Sequence, residues 1–244
     1  MGVNHLIQTA ISTVYPPRCL GCGRMVDGDL GLCGSCWRDV HFVGGVICDA
    51  CGSPQQGAFS DDEVVCDACI AEPRPWAKGR SAILYRDMGR KIILSLKHGD
   101  QHDIVPPASK WLAQAAKDLL RDETLIAPVP LHWTRLLKRK FNQSALLARG
   151  IAENTGNACC PDLLIRQIKT RSLDGLSKEE RRETLHRSID VNPKRRHRLV
   201  GRPVLLVDDV MTTGATLDAA TTACYDGGAS HVCVATLARV EKEY

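Results

Sequence analysis

Four Cys-x-x-Cys pairs in the first third of the chain constrain its fold more than any other feature. A Cys-x-x-Cys turn points two sulfurs to the same side, and two such turns supply the four thiolates of a tetrahedral zinc site. We therefore predict two zinc ions. Their ligands come as four pairs along the chain: Cys19 and Cys22, Cys33 and Cys36, Cys48 and Cys51, and Cys66 and Cys69.

The spacing leaves open how the four pairs combine. The simplest arrangement joins consecutive pairs at each ion, and an interleaved arrangement satisfies the same spacing. A disulfide framework is the main alternative, but it requires an oxidising compartment. The first residues show no basic, apolar export signal, which favours a cytoplasmic protein. Because thiolates fill every ligand position, we expect the zinc ions to be structural rather than catalytic.

The charge of the chain changes where the cysteine pairs end. Residues 1–77 carry four Lys or Arg and nine Asp or Glu, whereas residues 78–244 carry 28 and 19, so that the whole chain has a net charge of +4. We predict an N-terminal helix and double zinc ribbon over 1–77 and a basic domain over 78–244. No apolar run reaches the roughly 18 residues of a membrane span, so we expect no membrane insertion.

Strand and helix patterns alternate through the basic domain. This alternation predicts an α/β fold with a mainly parallel sheet and helices on both faces. Asn142 is a plausible N-cap of one helix, and Gly156 a plausible stop. Strands are predicted at 79–85, 124–132, 202–210 and 230–239, and helices at 86–100, 107–122, 142–156 and 214–229.

The most informative strand pattern ends in two adjacent aspartates, Asp208 and Asp209, and a loop of threonines and glycine follows. In open α/β sheets, ligands bind beyond the carboxyl ends of strands, and a helix N-terminus favours an anion. The loop therefore suits a phosphate, and the two carboxylates suit sugar hydroxyls or a metal-bound ligand. Together they predict a phosphorylated sugar as the ligand. The alternative is a capped turn without a ligand.

The sequence LLVDDVMTTGAT resembles the motif with which type I phosphoribosyltransferases bind 5-phosphoribosyl 1-diphosphate (PRPP). With APVPLHWTRLLKRKFNQSALLA and the cysteine pairs, nearly the whole chain resembles the ComF family of competence-associated proteins. The resemblance implies a type I phosphoribosyltransferase-like fold, PRPP with Mg²⁺ as ligand, and Asp208 and Asp209 on the ribose hydroxyls. It places the 5′-phosphate at Thr212, Thr213, Gly214, Ala215 and Thr216, and the pyrophosphate at the loop of Val129, Pro130, Leu131 and His132.

Two segments depart from the pattern of the family. Lys140 occupies the place of a glycine, and the stretch 170–185, expected to close over PRPP, lacks residues that the family usually carries there. These departures leave three functions open. The chain could be a PRPP-dependent transferase, a non-catalytic module that binds single-stranded DNA during uptake or recombination, or a PRPP sensor.

A cluster of basic and aromatic residues follows the predicted pyrophosphate loop. Basic side chains can contact nucleic-acid phosphates, and an aromatic ring can stack on bases. An ordinary solvated surface is the alternative. The candidate nucleic-acid contacts are Trp133, Arg135, Lys138, Arg139 and Lys140.

Overall fold

The computed structural model describes residues 18–26, 31–57, 62–98, 102–166 and 188–241. The helix predicted at the N-terminus and the stretch 170–185 lie outside these residues. Within the described ranges, no helix is both long enough and apolar enough to cross a membrane.

A five-stranded parallel sheet forms the centre of the molecule, in the order β1-β7-β6-β2-β3, and a separate antiparallel pair joins β4 to β5. This arrangement confirms the predicted mainly parallel sheet. The strands are β1 (Gly79–Leu84), β2 (Leu125–Pro128), β3 (Ala158–Cys159), β4 (Leu164–Arg166), β5 (Ile189–Val191), β6 (Pro203–Met211) and β7 (His231–Arg239).

Eight α-helices are present among the described residues. They are α1 (Gly34–Arg38), α2 (Asp67–Ala71), α3 (Asp87–His98), α4 (Val105–Ala115), α5 (Trp133–Arg139), α6 (Gln143–Thr155), α7 (Arg196–Leu199) and α8 (Ala215–Asp226). Two short 3₁₀ helices, His102–Ile104 and Lys117–Leu119, flank α4.

Strand β6 is buried on both faces because successive side chains point to opposite sides of a strand. Leu205 and Val207 pack in one core with Leu147 of α6, and Leu206 packs in the other core with Leu217 of α8. An unbroken apolar run is typical of such a strand. The helices on both faces confirm this part of the predicted fold.

Helix α6 begins and ends where the sequence predicts. The Asn142 side chain accepts a hydrogen bond of 3.0 Å from the Ser144 N–H, and Gly156 ends the helix in a left-handed conformation (φ 81°). In its middle, α6 passes so close to α4 that a Cβ atom on Gly150 would overlap Ser109 Oγ. The close contact fixes the position of α6 beside the sheet.

The zinc ribbon module extends the sheet at the edge strand β1. The Val43 N–H donates to the Ala82 carbonyl (2.9 Å), and the Gly79 N–H donates to the Asp49 carbonyl (2.8 Å). Phe42 pairs with Ile83 in an antiparallel bridge. Ribbon and sheet therefore share main-chain hydrogen bonds, and the domain boundary between residues 77 and 78 stays a prediction.

The nearly buried guanidinium of Arg80 also links the zinc ribbon module to the rest of the protein. Arg80 Nη2 in β1 lies 2.8 Å from Asp49 Oδ1 of the ribbon and 2.6 Å from Asp118 Oδ2 after α4. The Arg80 side chain is 9% exposed. A buried cation without partners would destabilise the fold by several kcal/mol. The two carboxylates offset this cost, and they tie the ribbon, β1 and the segment after α4 together.

Sequence reasoning did not predict α5, α7 or the β4–β5 pair. Strands β4 and β5 have three residues each, and 22 residues separate them in the sequence. Such short elements carry too few residues for a periodic pattern, so tertiary contacts decide their structure.

Lys140 ends α5 in a left-handed conformation (φ 66°), which favours glycine, the residue that the resemblance places at this position. We expect Lys140→Gly to raise the free energy of unfolding by about 1 kcal/mol, because this conformation brings a Cβ atom close to the backbone. Urea denaturation measures the change. The matched control, Lys140→Ala, removes the charge but keeps the Cβ atom and should change the stability little. Equal stability of Lys140→Gly and Lys140→Ala would contradict the explanation.

Candidate functional site

The eight paired cysteines form two clusters, and consecutive pairs combine in each. One cluster contains Cys19, Cys22, Cys33 and Cys36, and the other contains Cys48, Cys51, Cys66 and Cys69. Within each cluster all sulfurs lie within 4.8 Å of one another, and every cysteine is a free thiol. In this structure the consecutive pairs combine, not the interleaved ones, and the twelve cysteines form no disulfide.

The clusters have the dimensions of tetrahedral zinc sites. The sulfurs of Cys22 and Cys33 are 3.6 Å apart, and those of Cys51 and Cys66 are 3.8 Å apart. Zinc–sulfur bonds of about 2.3 Å in a tetrahedron place neighbouring sulfurs about 3.8 Å apart. Four thiols per cluster leave no position for a substrate, so these sites fit structural zinc.

Each cluster is supported by the same pattern of hydrogen bonds. The Cys33 N–H donates to Cys19 Sγ (3.1 Å), and the Cys66 N–H donates to Cys48 Sγ (3.3 Å). Ser35 Oγ lies 3.1 Å from Cys33 Sγ, and this hydroxyl is the largest influence that lowers the pKa of Cys33 to about 6. Donors aimed at sulfur favour the thiolate, which is the form that binds a metal ion.

The two aspartates lie near the carboxyl end of the central strand, and each contacts a different helix. Asp208 Oδ1 accepts hydrogen bonds from Ser144 Oγ in α6 (2.8 Å) and from the Asp209 N–H (2.9 Å). Asp209 Oδ2 is 3.4 Å from Lys97 Nζ in α3. The pair is therefore held between α3 and α6, with one cation beside it.

Asp208 retains its proton to an unusually high pH. Burial, followed by the neighbouring charge of Asp209, raises the pKa of Asp208 to about 7, although Ser144 and Lys97 act in the opposite direction. Two close carboxylates do not readily ionise together. The site can therefore hold or release a proton near neutral pH.

The loop of residues 212–216 leads directly from β6 into α8. Thr212 and Thr213 are exposed, and Gly214 precedes α8 with a left-handed backbone (φ 90°). Ala215 and Thr216 lie in the first turn of α8, and the Ala215 N–H donates a long hydrogen bond to Thr213 Oγ1 (3.4 Å). The N-terminal end of a helix favours an anion. Only Val210 and Met211 separate these five residues, which are predicted to bind the 5′-phosphate, from the aspartate pair.

Two arginines that sequence reasoning missed donate hydrogen bonds to the backbone carbonyls of residues 211–213. Arg74 Nη1 of the ribbon module donates to the Thr213 carbonyl (2.8 Å). Arg239 Nη1 at the end of β7 donates to the carbonyls of Met211 (3.0 Å) and Thr212 (2.6 Å). Both contacts join residues far apart in sequence, so no local pattern indicates them.

The predicted pyrophosphate loop adjoins the aspartate pair through the backbone. The Val129 N–H donates to the Val207 carbonyl (2.9 Å), and Asn142 Nδ2 donates to the Val129 carbonyl (3.0 Å). Pro130 is buried, and Leu131 is half-buried. These contacts bring residues 129–132 beside Asp208, and their role toward pyrophosphate stays a prediction.

His132 has a structural role at the end of this loop. Its Nδ1 accepts a hydrogen bond from the Thr134 N–H (3.3 Å) and lies 2.9 Å from Thr134 Oγ1, so it caps α5. The His132 side chain is 5% exposed. An accepting Nδ1 is unprotonated, which means that the neutral imidazole carries its proton on Nε2.

The candidate nucleic-acid contacts all belong to α5 or its C-cap. Trp133 is 61% exposed, Lys140 is exposed, and Arg139 Nη1 donates to Gln143 Oε1 (3.3 Å). The side chains of Arg135 and Lys138 lie outside the described part of the structure. Helix α5 thus presents an exposed aromatic ring and basic residues next to the predicted pyrophosphate loop.

Ser144 and Lys97 are the other site residues that sequence reasoning missed. Ser144 follows the N-cap Asn142 by two residues, so its contact with Asp208 depends on how α6 packs against β6. Lys97 is one of several basic residues in its segment, and only the fold singles it out. A search for donors in the first turn of α6 would have found Ser144.

Part of the chain matches a known domain family, and most of it matches known proteins. Residues 10–77 match the double zinc ribbon domain family. The chain is 28% identical over 207 residues to Competence protein F of Haemophilus influenzae, covering 82% of this chain and 87% of that protein. It is 28% identical over 191 residues to Competence protein ComFC of Bacillus subtilis, covering 78% and 75%.

The chain is a homologue of these competence proteins. It is also 27% identical over 217 residues to DNA utilization protein YhgH of Escherichia coli O157:H7, covering 87% of this chain and 92% of that protein. The resemblance to the ComF family is confirmed, as is the double zinc ribbon.

Among solved structures, the chain is similar to a hypoxanthine phosphoribosyltransferase from Staphylococcus aureus (TM-score 0.36, 15% identity, 57% of this chain and 68% of that one). It is also similar to the glutamine PRPP amidotransferase from B. subtilis (TM-score 0.37, 22% identity, 53% of this chain). The chain spans about a quarter of the length of that amidotransferase, with 25% covered.

The raised pKa of Asp208 predicts a pH dependence of stability. Between pH 3.8 and about 7, the folded protein keeps a proton that the unfolded chain loses, so the free energy of unfolding should fall as the pH rises through this range. Asp208→Asn removes this titration. We therefore expect the difference in stability, variant minus wild type, to grow from pH 4 to pH 7 in urea denaturation.

The control for this measurement is Asp226→Asn, an exposed carboxylate at the far end of α8. Its stability curve should stay parallel to that of the wild type. A pH-independent difference for Asp208→Asn would show that Asp208 ionises normally in the folded protein.

Proposed function

We propose that the chain binds PRPP at the end of β6 and acts in the uptake or use of DNA. The observation that carries the proposal is the position of Asp208 and Asp209 near the end of β6, where only Val210 and Met211 separate them from the 212–216 loop at the N-terminus of α8. Carboxylates beside a turn of backbone donors match a sugar that carries both hydroxyls and a phosphate.

The roles proposed for the residues follow from their positions. Asp208 and Asp209 accept hydrogen bonds from the ribose hydroxyls, and Thr212 and Thr213 donate to the 5′-phosphate. Lys97, which lies 3.4 Å from Asp209, balances negative charge when the polyanionic ligand enters. The backbone of residues 129–132 adjoins Val207 and receives the diphosphate end.

Transfer of the phosphoribosyl group is the reaction that such a complex supports. A nucleophile forms a bond to C1 of the ribose while the bond from C1 to the diphosphate oxygen breaks, and diphosphate leaves with the electron pair. Mg²⁺ would enter with the diphosphate and would supply charge neutralisation on this leaving group. The chain contributes orientation and charge stabilisation, which supply much of the rate in such displacements.

The involvement of DNA is supported by the relatives and by the exposed surface. The names of the relatives refer to competence and to DNA utilization. Helix α5 presents Trp133 and Lys140 to solvent beside the proposed PRPP site. A second candidate function follows from this surface, namely binding of single-stranded DNA without group transfer.

Binding of PRPP should depend on both aspartates. We expect the zinc-loaded wild type to bind Mg²⁺·PRPP with micromolar affinity, and Asp208→Asn combined with Asp209→Asn to weaken it at least tenfold, since hydrogen bonds to charged groups contribute about 1.5–3 kcal/mol each. Isothermal titration calorimetry measures both affinities. Asp226→Asn serves as the control.

Absence of PRPP binding by folded, zinc-loaded wild type would refute the proposal. If binding is found, release of diphosphate in the presence of candidate bases or amines separates a transferase from a protein that only binds PRPP.

Binding of single-stranded DNA should depend on Trp133. We expect Trp133→Ala to weaken binding of a fluorescent oligothymidylate by about tenfold, because stacking of a base on an aromatic ring contributes about 1–3 kcal/mol. Fluorescence anisotropy at several salt concentrations measures the affinity, which should fall as salt rises. The matched control is Trp37→Ala. Trp37 belongs to the zinc ribbon module and is 40% exposed. Equal losses in both variants, or none in Trp133→Ala, would argue against α5 as the DNA surface.

A further inference from the structure

Arg74 lies between the second cysteine cluster and the 212–216 loop. Its side chain is 7% exposed, although it belongs to a module on the molecular surface. Nη1 donates to the Thr213 carbonyl at 2.8 Å and lies 4.0 Å from Asp218 Oδ2 in the first turn of α8. One guanidinium therefore contacts both the loop and the helix that follows it.

Arg74 follows the second cluster closely along the chain. Cys69 lies five residues before Arg74, and α2 holds it in the cluster. Burial lowers the pKa of Arg74, but the neighbouring Cys69 and the charge of Asp218 outweigh this effect and raise the pKa. A segment of five residues therefore connects a predicted zinc ligand to the guanidinium that binds the loop.

Trp76 restricts the position of Arg74 relative to the second cluster. Its Nε1 donates to the Ala50 carbonyl between the cysteines of the third pair (2.5 Å), and Arg74 lies over its ring at 5.6 Å. A Cβ atom on Gly214 would lie 3.1 Å from the Trp76 ring and 3.2 Å from Arg74 Nη1. Trp76 therefore links the backbone between Cys48 and Cys51 to Arg74, and both side chains pack against Gly214.

The contacts of Arg74 and Arg239 fix the direction of the loop's N–H groups. The carbonyls of residues 211 and 212 point at Arg239, and the carbonyl of Thr213 points at Arg74. All described peptide bonds are trans, and in a trans peptide the N–H points opposite to the C=O. The N–H groups of residues 212–214 consequently point away from the arginines, which is the direction an anion requires.

The first cluster lies in a different environment from the second cluster. Cys36 lies beside Met88 of α3, and its cluster packs in the core with Leu112 of α4. Within the described residues, the contacts from a cluster to the 212–216 loop come from the second cluster. The two predicted zinc ions therefore occupy unequal positions relative to the anion site.

We propose that Arg74 is a positioning residue that couples metal binding at the second cluster to anion binding by the 212–216 loop. The anion is the 5′-phosphate of PRPP, so the inference rests on the proposed function. With metal bound, the second cluster fixes the Ala50 carbonyl that Trp76 contacts and the start of the segment from Cys69 to Arg74, and Arg74 holds the Thr213 peptide in the anion-binding orientation. Loss of the metal releases both supports, and Arg74 no longer fixes the loop.

The test combines PRPP affinity with zinc affinity in the full-length protein. Arg74→Met removes the guanidinium, and Arg74→Lys keeps the charge but reaches one partner at a time. Arg202→Met is the matched control, because Arg202 also donates to a backbone carbonyl, that of Glu123 (2.8 Å), at a distant position. Circular dichroism verifies that each variant is folded.

We expect Arg74→Met to weaken PRPP binding about tenfold in calorimetry, since it removes a charge-assisted hydrogen bond that orients the loop. Arg74→Lys should give an intermediate loss, and Arg202→Met none. Wild-type PRPP affinity in a folded Arg74→Met variant would overturn the proposal.

Coupling of two binding sites is reciprocal, so PRPP should also tighten zinc binding. In equilibrium competition with a chelating dye, saturating PRPP should raise the affinity for one of the two zinc ions about tenfold in the wild type. In Arg74→Met, at saturating PRPP, the change should be less than twofold. Tightening of both ions, or equal tightening in the variant, would indicate general stabilisation of the fold and would overturn the proposal.

Inorganic phosphate separates failure of this inference from failure of the proposed function. If the wild type does not bind PRPP but phosphate tightens one zinc ion in an Arg74-dependent way, the coupling stands and PRPP is the wrong ligand. If PRPP binds but leaves both zinc affinities unchanged, the proposed function stands and the coupling is refuted. If neither PRPP nor phosphate has an effect, both proposals fail.

Discussion

The parallel pairing of β6 with β2 on one edge and β7 on the other determines where the functional groups of this protein lie. Because both neighbours run in the same direction, their carboxyl ends meet at one edge of the sheet. Val129 follows β2 there, the aspartate pair lies near the end of β6, and Arg239 ends β7. The candidate site is assembled from three consecutive positions across the sheet, and the apolar interior of β6 holds them in register.

The zinc ribbon module is joined to the sheet by hydrogen bonds and an ion pair, not only by the chain. It extends the sheet at β1 through main-chain hydrogen bonds, and Arg80 joins it to the end of α4. Its last residues also reach the far side of the sheet, where Trp76 packs in the same core as Leu217 of α8. A module with few large apolar side chains gains its stability from its cysteine clusters and from the sheet it covers.

The features predicted correctly from the sequence depend on neighbouring residues. The apolar run of β6, the cap at Asn142 and the stop at Gly156 are local, and the spacing within each cysteine pair is local too. The features that the sequence did not reveal depend on contacts between distant residues. Arg74 and Thr213 are 139 positions apart, and the contact of Ser144 with Asp208 requires the packing of a helix on a strand. Lys140 is an intermediate case, since the left-handed backbone observed there favours glycine, the residue that the resemblance places at this position.

The contact between Gly150 and Ser109 limits which substitutions position 150 tolerates. Helix α6 carries Ser144 at one end and crosses α4 at Gly150, so any larger residue at position 150 must push the two helices apart. Such a displacement would move Ser144 away from Asp208, about two helical turns from the substituted residue. A side chain at position 150 therefore requires Ser109 or its helix to shift, and the surroundings of the aspartate pair depend in part on an uncharged residue six positions from Ser144.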